Sequence, residues 1–334
     1  MSTRLRRVAA LAVVPALALS LAACGSSDTA KGFDAVGIAG SFGQAPTFTF
    51  KKQMAAGDAT TKTLIDGTGA ALAQGDHVLV NFAVADTATD DTPITTFGKD
   101  TGAVGLQVGQ AAPTQPRVLG DVFTSELINY VKVGTKVGSR IAVAGSVDKV
   151  FPTIWSELPS LRYNVGNEDG IVLVMDIVGV ASAPSGTPQK SPSWAPRIVT
   201  KNNLPANLSF RGTPQPDGKL RVATLIKGSG QAVTADDTVG VQYLGSVYRG
   251  KKPFDESFST QRYLYAQLGL NVDVNKAMQT SVIKGWTKGL VGVPVGSRVL
   301  VEIPPALGYG KTAQGTSIPA NSTLYFVIDI LGAA

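Results

Sequence analysis

The sequence has very few of the residues on which covalent and metal chemistry most often depends. Its 334 residues include one cysteine, Cys24, and one histidine, His77. Ser/His/Asp and Cys/His nucleophile systems need a histidine, and zinc sites need several histidine or cysteine ligands. We therefore expect no such site, no internal disulfide and no cofactor. His77 follows a Gly-Asp loop at the start of an apolar segment, where we expect it to be exposed to solvent.

Charged residues are also scarce, at 16 % of the chain. Lysine and arginine together number 30 against 24 acidic residues, and three arginines lie within the first seven positions. Without those three, the remaining 27 basic residues are spread thinly and form no basic stripe of the kind that binds nucleic acid. We therefore expect no nucleic-acid partner. The 37 glycines and 19 prolines instead predict many turns, which is typical of β-rich domains.

The first 23 residues have the pattern of a signal peptide. Three arginines precede an apolar run, residues 8–21, which is shorter than the roughly 20 residues that span a bilayer. Leu21-Ala22-Ala23-Cys24 follows and resembles the lipobox of bacterial lipoproteins, whose cysteine is diacylated and becomes the mature N-terminus. We predict a signal peptide over residues 1–23, a lipid on Cys24, a flexible tether over residues 24–32, and a lipid-anchored protein on the extracytoplasmic side of the cell membrane. An ordinary signal peptide that ends near a cysteine is the alternative.

Two stretches of the remaining sequence resemble each other on either side of a Pro/Ser-rich segment. That segment, residues 181–200, is too poor in apolar residues to bury a core, and we predict a linker. The matched pairs are Leu64–Gly69 with Leu225–Gly230, Val78–Phe82 with Val239–Tyr243, Val137–Val143 with Val295–Val301, and Ile171–Val178 with Leu324–Leu331. Four matches in the same order predict a duplicated domain, residues 33–180 and 201–334.

The second copy shows the periodicity of a sheet and of one short helix. Apolar residues alternate along residues 239–247, which predicts a strand. Ile283, Trp286 and Leu290 have the i, i+3, i+7 spacing of one helical stripe, and Gly292 ends it. We therefore predict an α+β fold with two domains, each an antiparallel sheet packed on a short helix, of which the first is degenerate.

Five segments of the second copy form a recognisable set. They are Val239–Tyr243, Gly250–Ser257, Val282–Leu290, Ile303–Gly310 and Ile318–Phe326. In this order they resemble the FKBP family of peptidyl-prolyl cis-trans isomerases along nearly all of residues 219–334. The resemblance implies an isomerase that acts on proline-containing polypeptides and assists the folding of exported proteins. It also implies the macrolide ligands of the family as candidate partners.

The resemblance also implies which side chains form the prolyl pocket. The catalytic residues would be Tyr243, Phe254, Asp255, Trp286, Tyr309 and Phe326, and the substrate-binding residues would be Val282, Ile283 and Ile318. A dry aromatic pocket of this kind disfavours the planar amide relative to the twisted one, so no nucleophile is needed. The alternative for each aromatic residue is an ordinary place in the core.

The second copy departs from the family pattern at the rim of that pocket. The family's rim arginine falls on Thr260, although Arg262 is near, and two family aromatics fall on Leu264 and Ala266. The connection at residues 271–281 is longer than usual. These departures favour an alternative function, a lipid-anchored chaperone or scaffold protein with little isomerase activity.

The first copy lacks most of the implied site. Ile128 or Asn129 stands at the place of Trp286, and the Pro-Pro-x-x-x-Tyr-Gly segment has no counterpart. We place Phe97 at the position of Phe254, but Gly98 follows it where an aspartate would be needed. We therefore predict an FKBP-like scaffold without an isomerase site.

Overall fold

A computed structural model describes most of the chain beyond the predicted signal peptide. The described residues are 29–98, 101–110, 119–181, 183–260, 262–269 and 280–334. The predicted signal peptide, the lipidation site at Cys24 and residues 25–28 of the tether lie outside them. Within the described ranges, no helix is both long and apolar enough to cross a membrane.

The described chain consists mostly of strands, with few helices. The strands are β1 Thr29–Ala30, β2 Val36–Ala39, β3 Thr47–Phe50, β4 Gln53–Met54, β5 Thr60–Ile65, β6 His77–Asp86, β7 Asp91–Thr95, β8 Val104–Gln107, β9 Arg140–Ser146, β10 Gly170–Ala181, β11 Thr187–Pro188, β12 Arg197–Lys201, β13 Leu204–Ser209, β14 Arg221–Lys227, β15 Thr238–Val247, β16 Asp255–Glu256, β17 Leu264–Gln267, β18 Thr280–Ser281, β19 Arg298–Ile303 and β20 Leu324–Ala333. The α-helices are α1 Leu119–Leu127, α2 Val147–Val150 and α3 Lys284–Leu290, and short 3₁₀ turns cover Gly32–Asp34 and Pro305–Leu307.

Two larger sheets organise these strands. The first has the order β5-β9-β10-β6-β7, with β8 also paired to β6. The second has the order β11-β14-β19-β20-β15-β17-β18, with β16 also paired to β15. Within both sheets the described pairings are antiparallel except that of β17 with β18. Each sheet carries a large apolar cluster that includes its helix, α1 on the first and α3 on the second.

Strand β20 shows why the central strands read as continuous apolar runs. Phe326, Ile328 and Ile330 face the cluster beneath α3. Tyr325 and Val327 face the opposite cluster, which the β12–β13 hairpin covers. A strand that is buried on both faces cannot alternate apolar with polar residues, so every position of β20 is apolar or paired.

The predicted linker is extended but lies against the second sheet. Its described part contains β11, which pairs with β14, and the start of β12. Trp194 packs in the cluster on the outer face of the second sheet, and its ring lies 5.9 Å from the Arg221 guanidinium. The apolar residues of this segment are too few to form a core of their own, but they extend the cluster on the outer face of the second sheet.

The same glycine–serine contact recurs in both sheets. The Gly67 amide donates to the Ser139 hydroxyl at 3.0 Å, and the Gly228 amide donates to the Ser297 hydroxyl at 2.9 Å. A Cβ on either glycine would lie 2.3 Å from a backbone carbonyl oxygen of the facing segment. Both positions therefore require glycine, which explains why the Gly-x-Gly and Gly-Ser pairs occur in both halves of the sequence.

A buried ion pair also recurs in both sheets. Arg140 donates to the Asp176 carboxylate at 2.6 Å, and Arg298 donates to the Asp329 carboxylate at 2.6 Å. A buried charge is very costly unless it is paired and hydrogen-bonded. Each arginine therefore fixes its own strand, β9 or β19, against the aspartate of the neighbouring central strand.

His77 is not exposed, so that expectation was wrong. Its ring is half-buried and stacks on Tyr263, with centroids 3.6 Å apart and planes at 15°. Its Nδ1 lies 3.0 Å from the hydroxyl oxygen of Tyr265. Burial lowers the pKa of His77 to about 4, although the charge of Asp76 opposes the shift. The sequence around His77 could not show this, because its partners lie almost 190 residues further along the chain.

Candidate functional site

A cavity of about 400 Å³ opens beside α3 on the inner face of the second sheet. Its volume is in the range of small-molecule and peptide side-chain pockets. The lining residues are Tyr243, Phe254, Asp255, Leu264, Thr280, Ser281, Val282, Ile283, Trp286, Tyr309 and Phe326. Eight of the nine residues that the sequence resemblance implied for the prolyl pocket are among them. The folded chain thus brings together residues from five separate segments.

Four aromatic rings form the walls of this cavity. Trp286 of α3 meets Tyr243 of β15 at 5.5 Å and Phe326 of β20 at 5.3 Å between centroids. Phe254 meets Phe326 at 5.6 Å. All three contacts are T-shaped, with interplanar angles of 75–83°, the arrangement in which ring edges face ring planes. The rings therefore brace one another around an open space.

Two glycines allow this close approach. A Cβ on Gly245 would lie 2.6 Å from both the Phe254 and the Phe326 rings, so a side chain there would push the two rings apart. A Cβ on Gly285 would lie 2.4 Å from the Ile303 side chain. Glycine at this position lets α3 lie directly on β19, which sets the depth of Trp286 in the cavity.

Two tyrosine hydroxyl groups of the cavity interact with Asp255. The Tyr243 hydroxyl donates a hydrogen bond to its carboxylate. Burial, followed by this hydrogen bond, raises the pKa of Tyr243. Burial and the Asp255 charge also raise the pKa of Tyr309, which is 37 % exposed at the mouth of the cavity. Both hydroxyls therefore remain protonated at neutral pH and can donate hydrogen bonds.

The segment before α3 places backbone groups at the cavity. Val282 and Ile283 line it, and Ile283 is the N-cap of the helix. The Ile283 carbonyl accepts the Trp286 amide at 2.9 Å. The Ile283 amide lies at the N-cap, before the hydrogen-bonded turn of α3, and can donate to a group beside the aromatic walls.

Ile318 and three further residues differ from the expected set. Ile318 is 6 % exposed, packs in the core cluster beneath α3, and is not among the lining residues. Leu264, Thr280 and Ser281 line the cavity but were not predicted as site residues. The signal that could have identified Leu264 was its place at a family aromatic residue near the pocket rim.

Strand register shows what the first sheet has at the equivalent positions. In the second sheet Gly245 pairs with Asp255, and in the first Val84 pairs with Ile94. Ile94 therefore stands at the place of Asp255, and it is 1 % exposed. The placement of Phe97 at the position of Phe254 was therefore wrong. Phe97 instead lies 5.7 Å from the Arg140 guanidinium, as Phe258 lies 5.9 Å from that of Arg298.

The first sheet also fills the space beside its helix with its own side chains. Phe151, Ile154 and Leu158, from the segment between β9 and β10, are buried in the cluster of α1. Phe151 packs on Phe123 of that helix, with centroids 6.1 Å apart. In the second sheet, the corresponding segment lies between β19 and β20, and its Tyr309 lines the cavity mouth.

A buried glutamate holds that segment in place. Glu126 of α1 accepts the amides of Thr153 and Ile154 at 2.8 and 2.9 Å. Burial raises the pKa of this carboxyl group, and the two amide bonds oppose the shift. The packed segment is therefore anchored to α1 by hydrogen bonds as well as by apolar contact.

Comparison with known proteins identifies the family of the second sheet. Residues 229–331 match the sequence model of the family described as FKBP-type peptidyl-prolyl cis-trans isomerase. The chain is 39 % identical over 120 residues to FK506-binding protein 1A of Neurospora crassa, a match that covers 36 % of this chain and 91 % of that protein.

Two further matches cover smaller shares of their proteins. The chain is 38 % identical over 104 residues to the FKBP-type peptidyl-prolyl cis-trans isomerase FkpA of Escherichia coli K12, covering 31 % of this chain and 34 % of that protein. The crystal structure of FkpA from Escherichia coli matches at 32 % identity and a TM-score of 0.30, over 36 % of this chain and 50 % of that one.

The residues that match the family model include the strands and the helix that build the aromatic cavity. The match to the Neurospora crassa protein covers 91 % of that protein. The enzyme class predicted from the sequence is thereby confirmed. The chain belongs to the family of FKBP-type peptidyl-prolyl cis-trans isomerases.

Proposed function

We propose that this isomerase turns the X–Pro bonds of exported polypeptides inside the aromatic cavity beside α3. The observation that carries the proposal is the convergence of Tyr243, Phe254, Trp286 and Phe326, from four separate segments, on one open space of about 400 Å³. The rings meet edge to face and give the pocket aromatic walls.

The reaction needs no nucleophile. Rotation about a peptide bond crosses a barrier of roughly 18–20 kcal/mol, and an X–Pro bond takes tens to hundreds of seconds to isomerise unaided. The planar amide is polarised by resonance and well solvated by water, whereas the twisted amide has lost that resonance. Transfer into a dry pocket therefore costs the planar form more than the twisted one, which is differential binding of the transition state.

The lining residues divide into two roles in this mechanism. Trp286 forms the floor, and Phe254 and Phe326 hold the proline ring from the sides. The Ile283 amide and the Tyr309 hydroxyl donate hydrogen bonds to substrate carbonyls. Asp255 orients the Tyr243 hydroxyl and does not transfer a proton itself, so these two residues act together.

Val282 and Ile318 support substrate binding in different ways. Val282 adds an apolar contact at the cavity edge. Ile318 lies in the core beneath α3, and we assign it an indirect role in holding the wall. Proline-containing polypeptides are the proposed substrates, and macrolide ligands of the family are candidate inhibitors of the same cavity.

We further propose the domain organisation that the sequence repeat implies. Residues 33–180 would be a degenerate FKBP-like domain, residues 181–200 a linker, and residues 201–334 the isomerase domain. The repeated glycine–serine contact and the repeated buried ion pair support a common origin of the two sheets. Lipidation of Cys24 would hold both domains on the extracytoplasmic side of the membrane.

A pair of tryptophan variants tests the isomerase proposal. Trp286→Leu removes the floor of the cavity, and we expect kcat/KM for a proline-containing peptide to fall at least tenfold, or about 1.4 kcal/mol in the barrier. Trp194→Leu is the matched control, because Trp194 packs on the outer face of the same sheet. We expect this control to lose stability but to keep its turnover per folded molecule.

Two outcomes would contradict the proposal. Equal losses of activity in the two variants, in proportion to lost stability, would make Trp286 a core residue only. A wild-type chain that binds the peptide without accelerating its isomerisation would favour the alternative of a lipid-anchored chaperone or scaffold.

The anchor is tested separately. Cys24→Ala in the full-length chain should move the protein from the membrane fraction to the soluble fraction, as detected by immunoblotting. A variant that still sediments with membranes would show that the attachment does not depend on this cysteine.

A further inference from the structure

Strand β17 has the aromatic cavity on one face and the first sheet on the other. Leu264 lines the cavity, and Ala266 is fully buried in the cluster beneath α3. Side chains alternate along a strand, so Tyr263 and Tyr265 lie on the opposite face. The alternation therefore places the aromatic residues of this segment behind the cavity wall.

Behind that wall, the two tyrosines contact strands of the first sheet. Tyr263 stacks on His77 of β6, and the Tyr265 hydroxyl lies 3.0 Å from His77 Nδ1. A Cβ on Gly105 of β8 would lie 2.2 Å from the Tyr265 ring, so this ring rests directly on the β8 backbone. The three aromatic rings thus join the edge of the first sheet to the back of β17.

The rest of the cavity wall depends on the position of β17. Strand β18 pairs with β17, and both of its residues, Thr280 and Ser281, line the cavity. At the end of β17, the Leu268 carbonyl accepts the Thr287 hydroxyl of α3 at 2.5 Å. A shift of β17 would therefore move Leu264 and β18 together, and would disturb the contact with α3.

We propose that His77, Tyr263 and Tyr265 are positioning residues of the prolyl pocket. The first sheet acts as a fixed support behind β17 and sets where Leu264 stands in the cavity. This inference rests on the proposed function of the cavity. Van der Waals attraction falls off steeply with a gap of even 0.5–1 Å. Loss of the support behind β17 therefore weakens the contact between substrate and Leu264. It removes no group that touches the reacting bond.

The test compares two contacts between the sheets in the full chain. His77→Ala removes the stack behind β17, and we expect KM for a proline-containing peptide to rise three- to tenfold with kcat within twofold of wild type. His77→Phe keeps a ring in the stack and should recover most of the affinity. Leu79→Ala is the matched control, because the Leu79 side chain contacts the second sheet at Gly332 of β20. We expect it to leave KM unchanged.

A second measurement does not depend on activity. Amide hydrogen exchange at Leu264 and Thr280 should accelerate in His77→Ala, whereas exchange at Phe326 should stay as in wild type. If the wild-type chain shows no isomerisation, the proposed function fails, and the exchange data still test the support. Unchanged KM and exchange in His77→Ala, or equal changes in Leu79→Ala, would overturn the inference.

Discussion

The two sheets of this protein use the same scaffold around different interiors. Both place a glycine amide on a serine hydroxyl and an arginine on a buried aspartate at matching points. They differ at three positions that strand register makes equivalent in the two sheets. The second sheet has Tyr243, Asp255 and Phe326 at these places, and the first has Phe82, Ile94 and Leu173.

This difference shows that scaffold and pocket are specified by separate residues. The repeated contacts fix strands and turns, and none of them lines the cavity. In the second sheet, the Pro- and Gly-rich segment after β19 puts Tyr309 at the cavity mouth and Ile318 in the core beneath α3. The corresponding segment after β9 instead contributes Phe151, Ile154 and Leu158 to the core. The pocket of the second sheet and the packed core of the first therefore differ at these register positions and in the segment that follows β19 or β9.

The largest effect on stability is expected from Phe151, which is buried in the core of the first sheet. Phe151→Ala should lower the free energy of unfolding by about 3–5 kcal/mol, the typical cost of a large-to-small change in a packed core. Isomerase turnover per folded molecule should not change, because Phe151 lies in the other sheet. Chemical denaturation and a peptide assay on the same sample check both parts. A variant with unchanged stability would show that this segment does not form part of the core.

A smaller effect is expected from the pH dependence of the contact between the sheets. Burial lowers the pKa of His77 from 6.5 to about 4. Between pH 6.5 and pH 4, the His77 imidazole therefore binds a proton in the unfolded chain but not in the folded chain. The contribution of this group to the free energy of unfolding is fully present above pH 6.5 and is lost as the pH falls toward 4. We expect a loss of about 1–2 kcal/mol once solvent screening of this half-buried group is considered.

His77→Phe isolates that contribution, because it keeps a ring against Tyr263 and removes the titrating group. Urea unfolding at pH 7 and pH 4 should show wild type losing more stability than the variant. The groups facing His77 are the two tyrosines, which stay neutral in this range, and Asp76, whose charge opposes the shift. The same loss in both proteins would contradict the prediction.

The smallest effect is expected at the cavity mouth. Tyr309→Phe removes one hydroxyl, and the loss of a substrate hydrogen bond of about 0.5–1.5 kcal/mol should lower kcat/KM between twofold and tenfold. Tyr130→Phe is the matched control, since its hydroxyl donates to the Val150 carbonyl at 2.8 Å in the first sheet. A loss of activity only in proportion to stability would place Tyr309 outside the substrate site.

Much of the second sheet could be predicted from its sequence because the signals are local. Glycine and proline mark where α3 ends, and the spacing of Trp286 and Leu290 fixes its buried stripe. Eight of the nine implied site residues lie in short motifs whose neighbours determine their backbone, and they line one cavity. The repeated Gly and Ser positions are readable for the same reason, since no other residue fits a backbone contact this close.

The sequence of this protein by itself determined its family, its strand-rich fold and eight of the eleven residues that line the aromatic cavity, because these depend on local periodicity and on short motifs. Only the tertiary structure decided that Ile94 takes the place of Asp255, since a register depends on pairing across strands and not on sequence spacing. Only the tertiary structure placed His77 behind β17, because that contact joins residues 188 positions apart. Long-range contacts of this kind have no local signature.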